Sequence, residues 1–291
     1  MVRMGAGQFG IAGECWGQTR RVDYGSGKYG LKVDGGERDT QNDYLEDGGL
    51  VVWMGNDDRE LVTGPAEGRR RYLDFLASQI VPGYRRSLSR YRKVLQARNA
   101  LLREGRAGGG EMTSFTQILI EHGREITAAR ARMTESLHEP VNQAQAAVGG
   151  GNEAVTLEYR SASGDNLEEA LAQVREKELR QGTTLVGPHR DEVRLSLGGL
   201  KAADFGSEGQ QRTLALALKL GQGELLRAKG GKTPLFLLDD IFGELDPGRR
   251  RRFLAALPAG AQTIVTTTNA DWLGGDLKLE TREVRGGAVL S

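Results

Sequence analysis

Residues 234–246 read Pro-Leu-Phe-Leu-Leu-Asp-Asp-Ile-Phe-Gly-Glu-Leu-Asp, an order that few folds accommodate. The four apolar residues Leu235 to Leu238 do not alternate between a wet and a dry face, so they read as a strand buried on both sides, as in the middle of a parallel sheet. Such a strand delivers the paired acids Asp239 and Asp240 to its C-terminal end, where open α/β sheets bind ligands. This is the Walker B arrangement. Asp239 would hold Mg²⁺ through its water shell, because Mg²⁺ takes one or two carboxylates and keeps several waters. Asp240 would take the catalytic role, orienting or deprotonating an attacking water. The alternative for this run alone is an acidic N-cap after an ordinary core strand.

About two dozen residues upstream stands Ser207-Glu-Gly-Gln-Gln-Arg212. Ser207 and Gln210 have the spacing of a capping box, and Leu214, Ala217, Leu218 and Leu225 follow at helical spacing, which predicts a helix of roughly twenty residues starting at Ser207. Its free N–H groups and positive dipole end would form an anion site, and Gly209 would let a phosphate approach the backbone. By itself this is a well-capped amphipathic helix. Followed by the Asp-Asp strand and by Gly243-Glu-Leu-Asp246, it has the order of signature sequence, Walker B and D-loop in ABC-type ATPases. Ser207, Gly209, Gln210 and Gln211 are then the candidate signature residues, and Asp246 the D-loop acid.

No Gly-x-x-x-x-Gly-Lys-[Ser/Thr] occurs in the chain. Gly25-Ser-Gly-Lys28 is followed by a tyrosine, and Gly231-Lys-Thr233 has Leu226 where the first glycine belongs. The second also sits after a helix and before a strand, whereas a P-loop joins a strand to the helix that follows it. It reads as a helix C-cap and turn.

With 291 residues the chain has room for one large domain, or for a head with an insertion. Its net charge of +1 gives no global attraction for nucleic acid, so any basic surface is local. One cysteine, Cys15, excludes a disulfide framework, fits a reducing cytosol and reads as a small core residue. Three histidines, with no Cys/His cluster at metal-ligand spacing, argue against structural zinc. Without a long apolar run or a signal-peptide core, a soluble, cytoplasmic protein with no membrane partner is expected.

Residues 1 to about 60 are glycine-rich, with extended candidates at Tyr29–Val33 and Leu50–Met54, and the opening residues 1–7 read as an internal start. From Pro65 a helical pattern begins at Arg69, and Tyr84, Leu88, Tyr91, Leu95, Arg98 and Leu102 continue at spacings of three and four. Phe115, Leu119, His122, Ile126, Ala129, Met133 and Leu137 form a second pattern, which Pro140 and Gly149-Gly-Gly151 should end. Two antiparallel helices joined at Gly108-Gly-Gly110 would make an arm or lid, with Met133 and His122 as packing residues.

Between Arg69 and Arg106 there are eleven Arg or Lys against two acids, Asp74 and Glu104. Arg85, Arg86, Arg90, Arg92, Lys93 and Arg98, interleaved with Tyr84 and Tyr91, are candidates for DNA phosphate contact, with a solvated helix face as the alternative. Arg249-Arg-Arg-Arg252 is the weaker basic cluster, because site acids stand near it in sequence. Ala154–Tyr159 and Val193–Leu197 read as strands flanking a helix at Leu167–Arg180. Between them Gly187, Pro188, His189, Arg190 and Asp191 form a compact turn, which an Asp–Arg pair could stitch. Arg249–Leu257 reads as a short helix, Gln262–Thr268 as a further buried strand whose hydroxyls lie beside the carboxylates, and Glu283–Leu290 as an edge strand.

These motifs resemble the RecF recombination-repair family, ABC-type ATPases related to SMC-type heads. The resemblance covers about residues 50–291. It rests on Gly64-Pro-x-x-x-Arg69-Arg-Arg-x-Leu-Asp74, Tyr91 through Gln96-x-Arg-Asn-x-Leu-Leu102, Gly187-Pro-His-Arg-Asp191, Ser207-x-Gly-Gln-Gln-Arg212 and Leu237-Leu-Asp-Asp-x-Phe-x-Glu-Leu-Asp246. It implies an α/β ABC-ATPase head, with a P-loop-type sheet whose first strand and Walker A have no counterpart here, and an inserted α-helical arm. The implied division is 1–75 N-terminal lobe, 76–182 helical arm, and 183–291 C-terminal lobe. It further implies a DNA-stimulated ATPase using ATP and Mg²⁺, a homodimer on DNA at gaps and single-strand/double-strand junctions, and RecR and RecO partners in recombinase loading. Ser207, Gly209 and Gln210 would clamp ATP of the opposite subunit, Asp246 would signal across the dimer, and Thr267 and Thr268 would take the switch position. Without a phosphate cradle the carboxylates would repel the nucleotide, so this chain is not expected to hydrolyse ATP alone. The other readings are a non-enzymatic DNA-binding or dimer-partner module, and an incomplete gene product.

Overall fold

The computed structural model describes residues 6–45, 48–151, 153–269, 280–285 and 288–290. Most of the segment read as an internal start, residues 1–5, lies outside the described residues. The glycine-rich lobe is an antiparallel meander of β1 (Gln8–Cys15), β2 (Gln18–Gly25), β3 (Lys28–Val33) and β4 (Gly36–Glu37). Its turns are Trp16-Gly17, Ser26-Gly27 and Asp34-Gly35, with positive φ at all of these residues. That is the type I′ geometry, whose twist matches the strands it joins. The Gly25-Ser-Gly-Lys28 run is therefore a hairpin turn. Sequence reading finds only β3 here, although each X-Gly pair, Asp34-Gly35 above all, is a hairpin signal. Cys15, expected in a core, is only half-buried at the end of β1.

After α1 (Gln41–Leu45) the chain enters β5 (Val51–Gly55), α2 (Glu60–Thr63), α3 (Ala66–Ile80), α4 (Tyr84–Arg103) and α5 (Gly110–Gly149). Then come β6 (Val155–Arg160), α6 (Leu167–Gln181), β7 (Glu192–Leu197), β8 (Leu200–Lys201), α7 (Ala202–Phe205) and α8 (Glu208–Gly230). The last elements are β9 (Leu235–Asp239), α9 (Pro247–Ala255), β10 (Thr263–Thr266), β11 (Glu283–Arg285) and β12 (Ala288–Leu290). The final segment, expected as one edge strand, is an antiparallel hairpin of β11 and β12.

The sheet that carries the acids is parallel, in the order β10-β9-β5, with the Asp-Asp strand β9 in the middle as its apolar run predicts. Phe236 and Leu238 are fully buried on one face, while Leu235 and Leu237 on the other are only half-buried. The strand expected over Gln262–Thr268 is shorter and less buried than its sequence suggests. β10 is an edge strand among the described residues, and Ile264 is 49% exposed on it. The outer edge of β5 is closed by a side chain instead. Gln79 of α3 accepts from Val51 N at 2.7 Å and donates to Val51 O at 3.1 Å, occupying the hydrogen-bonding groups a neighbouring strand would take.

The helical periodicity places the core correctly. Tyr84, Leu88, Tyr91, Arg98 and Leu102 of α4 and Leu119, His122, Ile126, Ala129, Met133 and Leu137 of α5 are all buried. The pattern from Arg69 is two helices rather than one, broken at Pro82-Gly83, where Gly83 has φ 75°. α5 runs straight through Pro140, which was expected to end it, and continues to Gly149. Proline removes one helical hydrogen bond, but the packing beyond it outweighs that loss. Val141, Ala144 and Val148 are buried after the proline, and α8 approaches so closely that a Cβ on Gly221 would lie 2.9 Å from Val141 N. Asn142 also ties this turn of α5 to β6, accepting from Val155 N and donating to Val155 O, both at 2.8 Å. One hydrophobic cluster extends from Leu50 through both long helices to Phe253, so the arm helices and the sheet share a core across residues 75 and 182. Gly221→Ala should therefore cost about 1–3 kcal/mol by overpacking against backbone that cannot rotate away. The check is a lower denaturant midpoint at unchanged slope, and an unshifted midpoint would show that the two helices slide freely.

Candidate functional site

The signature helix begins as its sequence dictates. Ser207 is the N-cap of α8, its hydroxyl accepting from Gln210 N at 3.3 Å, and Gln210 Oε1 accepting from Ser207 N at 2.7 Å. Gln210 reaches onward from Nε2 to Glu153 Oε1 at 2.6 Å. Gln211 is turned to structural work, donating to Gly206 O at 3.0 Å and closing the end of α7. Over Gly209 lies the guanidinium of Arg249, whose Nη1 would be 2.9 Å from a Cβ at that position. Arg249 N in turn donates to Asp246 Oδ1 at 2.9 Å, making Asp246 the N-cap of α9. That backbone hydrogen bond, helped by the Arg249 charge, holds the Asp246 carboxyl below its ordinary value. Arg249 thus joins the signature to the D-loop. Sequence reading discounted this basic cluster, and the signal it missed was the three-residue offset of Arg249 from the capping acid.

Halfway along α8, Lys219 pins the same helix to the C-terminal end of β5. Its Nζ lies 2.8 Å from Asp58 Oδ1 and 2.8 Å from Trp53 O. β5 ends level with β9, Gly55 opposite Asp239, so the two strand ends and α8 meet. A cleft of about 280 Å³ opens there, walled by Asp57, Asp58, Arg59, Glu208, Arg212 and Glu244. Ion pairs bridge its walls: Arg59 with Glu208 at 2.7 Å, and Arg212 with both Glu208 and Glu244.

Asp239 is exposed at the end of β9 and accepts from Thr266 Oγ1 at 2.5 Å. Asp240 has φ +53°, a left-handed conformation that aspartate tolerates better than most residues, and its N–H donates to Thr266 O at 3.1 Å. Of the strand-end hydroxyls expected beside the carboxylates, that of Thr266 donates to Asp239, and that of Thr267 donates to Asn269 O at 2.8 Å. An exposed carboxylate beside a hydroxyl is a hard-oxygen donor set that suits Mg²⁺, so the residues present fit that ion.

Comparison with known proteins gives the ancestry of this arrangement. No protein-family profile matches the chain. It is 40% identical over 249 residues to the DNA replication and repair protein RecF of Deinococcus radiodurans, a match covering 86% of this chain and 68% of that protein. The chain belongs to the RecF family. RecF of Synechococcus sp. strain JA-2-3B'a(2-13) is 39% identical over 271 residues, covering 85% of this chain and 70% of that protein. Among solved structures, the recombination mediator protein RecF-ATPrS of the RecFOR pathway superposes with a TM-score of 0.85 at 26% identity, covering 98% of this chain and 80% of its own. RecF-ATP of the same pathway gives 0.81 at 28% identity, covering 93% and 77%.

The other three RecF-like motifs meet one another rather than the signature. Arg69 forks onto Glu192 at 2.9 and 3.0 Å, and Arg70 donates to Asp191 O at 2.7 Å. Among the described residues the Asp191 side chain forms no Arg pair of the kind expected. It is fully buried and accepts from Ala162 N at 2.7 Å, from the Tyr159 hydroxyl, and from Thr127 Oγ1 at 3.4 Å. Arg130 of α5 donates to Pro188 O at 2.6 Å and to Asp74 Oδ1 at 2.9 Å. Burial opposes the Arg130 charge, but the Asp74 carboxylate outweighs it and raises the guanidinium above its ordinary value. Arg190 is exposed.

His189 has a determined tautomer. Nε2 lies 3.1 Å from Thr184 O, a carbonyl that can only accept, so Nε2 carries the proton and Nδ1 accepts from the Tyr91 hydroxyl at 2.7 Å. Burial, with the charges of Arg190 and Arg70, lowers the His189 pKa. Because its folded value lies below its unfolded value, the unfolded chain takes up the proton first. Stability is full above about pH 6.5, falls as pH drops below that toward the folded value, and then levels off for this group. Urea midpoints across that window should fall less steeply in His189→Gln than in the parent. Equal slopes would mean that His189 takes up its proton at the same pH in the folded chain as in the unfolded one.

Of the expected DNA-contact residues, Arg86, Arg90, Arg92 and Lys93 are exposed and Arg85 is half-buried. Arg98 is not a surface residue: its side chain is 3% exposed and pairs with Glu178 at 2.6 Å. Tyr84 and Tyr91 are buried, their hydroxyls bonded to Asp74 at 2.5 Å and to His189, so neither ring can stack on a base. Arg85 and Arg86 line an open groove together with Lys229 in the last turn of α8 and Lys232 just after it, both of which sequence reading passed over. Glu121, His122 and Glu125 bring three ligating atoms within 4.8 Å of one another, with Glu125 already accepting from Ser87. No described helix is long and apolar enough to cross a membrane.

Proposed function

We propose that this chain works in DNA repair and recombination as the signature-donating half of a RecF-type, ATP-dependent dimer. The observation that carries the reading is Arg249, whose guanidinium lies over Gly209 while its backbone N–H donates to Asp246, so that the signature and D-loop residues adjoin on one face. Ser207, Gly209 and Gln210 clasp the phosphates of ATP presented by a second, P-loop-bearing copy, with Asp246 at the boundary. Mg²⁺ rests on Asp239, and Asp240 serves the water. The dimer binds DNA at gaps and single-strand/double-strand junctions through the exposed cations of α4, and works with RecO- and RecR-type mediators in recombinase loading. Division of labour follows 1–75, 76–182 and 183–291, with the middle part as the DNA-facing arm.

The 291 residues hold no P-loop sequence, so the chain alone turns over no ATP. The test measures DNA binding and ATP hydrolysis by the chain alone and mixed with a RecF relative that carries a P-loop. ATP-dependent DNA binding that appears only in the mixture supports the composite site. Turnover by the isolated chain, sensitive to Asp240→Asn, would sink the reading.

A further inference from the structure

The Gly187–Asp191 turn is left without a task by the nucleotide chemistry, yet it helps to wall a cleft of about 300 Å³ between α3, α4 and α5. Four arginines, Arg70, Arg71, Arg92 and Arg130, line this cleft against two carboxylates, Glu67 and Asp74. Arg71 pairs with Glu67. Asp74 is shared: Arg130 lies at 2.9 Å, Arg92 at 3.2 Å, and the Tyr84 hydroxyl donates to it at 2.5 Å. Arg70 has no carboxylate within ion-pair distance among the described residues, and donates only to the Asp191 carbonyl at 2.7 Å. His189, the remaining titratable wall, is neutral in the tautomer fixed by Thr184 and Tyr91. Among the residues that line the cleft, arginines thus outnumber carboxylates by two, while Asp191 and Glu192 act on Arg70 from beyond the wall without pairing with it.

Like charges held together out of water are unfavourable unless an anion joins them. Burial, and then the Arg130 charge, lower the Arg70 pKa against the opposing charges of Glu192, Glu67 and Asp191. The arrangement is also stiff. Arg130, with a side chain 4% exposed, clamps Asp74 to the Pro188 carbonyl, and Arg92 leans on Asp74 with 58% of its side chain in solvent. Planar guanidinium forks on a fixed wall recognise the oxygens of a phosphate in pairs.

We infer that this cleft binds a phosphoryl group, with Arg70 and Arg92 as its direct contacts and Arg130 as the residue that positions Asp74 and the turn. The group belongs either to a nucleic-acid backbone or to a small phosphate compound, and one set of measurements separates them. Inorganic phosphate is titrated against the full chain without ATP, following the unfolding temperature and isothermal heats, for the parent, Arg70→Gln and Arg92→Gln. Circular dichroism and unfolding temperature without phosphate report whether each variant folds, and Arg92, mostly in solvent, is the variant that leaves the core intact. Saturable stabilisation of the parent, with affinity reduced roughly tenfold or more in each folded variant, is the expected result. Phosphate binding that a short DNA duplex competes away at constant ionic strength, in the parent, assigns the site to DNA. Phosphate binding that excess duplex leaves unchanged assigns it to a small phosphate compound. No saturable binding, or equal binding by the parent and Arg92→Gln, overturns the site. Because ATP is absent throughout, a failure of the composite ATP site leaves these readings untouched.

Discussion

Replacing Glu178 by alanine should remove about 3–5 kcal/mol of stability, the largest loss expected from a single side chain in this protein. Glu178 of α6 is completely buried, and Arg98 of α4 is 3% exposed. Their 2.6 Å ion pair is extended by Arg98 Nη1 to Thr184 Oγ1 at 2.7 Å and by Leu185 N to Glu178 Oε1 at 2.9 Å. Removing the carboxylate leaves a guanidinium without its counter-charge where water cannot reach it, together with an orphaned N–H at Leu185. The same network positions Thr184, whose carbonyl fixes the His189 tautomer, so the phosphate cleft should loosen as well. Urea denaturation checks the first effect. A double replacement, Arg98→Met with Glu178→Leu, should recover much of the loss, because a buried pair and a packed apolar pair of similar volume are often close in energy. A single variant as stable as the parent would mean that the pair is hydrated.

The second large effect concerns pairing rather than stability. Ser207→Arg should lower ATP-dependent association with a P-loop-bearing copy by on the order of a hundredfold, the loss of two or three charge-assisted hydrogen bonds to phosphate. The arginine removes the hydroxyl cap, places a cation at the positive end of α8, and fills the space over the first turn. Loss of the cap alone costs about 1 kcal/mol of helix stability, and Ser207→Ala shares that cost. Association measured by light scattering should therefore fail in Ser207→Arg while Ser207→Ala, equally destabilised, retains much of it. Parallel losses in both variants would reduce the effect to helix fraying. Unchanged association in both would remove Ser207 from the interface.

Much of this protein is legible in local patterns. The capping box Ser207/Gln210, the C-cap at Gly231, the central β9 and the buried seam of α4 and α5 follow from spacing alone, because each is decided within a few residues. The three type I′ hairpins were legible too, in their X-Gly pairs. Other features depend on partners far along the chain. Tyr91 and Arg98 look like nucleic-acid residues in a basic run, and become core residues only because His189 and Glu178, about eighty to a hundred positions away, come to meet them. Pro140 looks like a stop, and only the backbone of α8 against Val141 makes continuation worthwhile. No spacing rule links Arg249 to Gly209, since that contact joins two helix starts on different sides of β9.

The amino-acid order by itself determined the family and the α/β class and named the residues proposed here for nucleotide chemistry, because apolar periodicity and short motifs act within one turn or one strand. The tertiary structure decided which charges are spent. It buries Arg98 and Arg130 against acids, leaves Arg70 hydrogen-bonded to a carbonyl with no ion pair among the described residues, and sets the Thr266 hydroxyl on Asp239. A charge becomes structural or available according to the company it keeps in space, and the cost of an unpaired buried ion is settled only when the distant segments have packed.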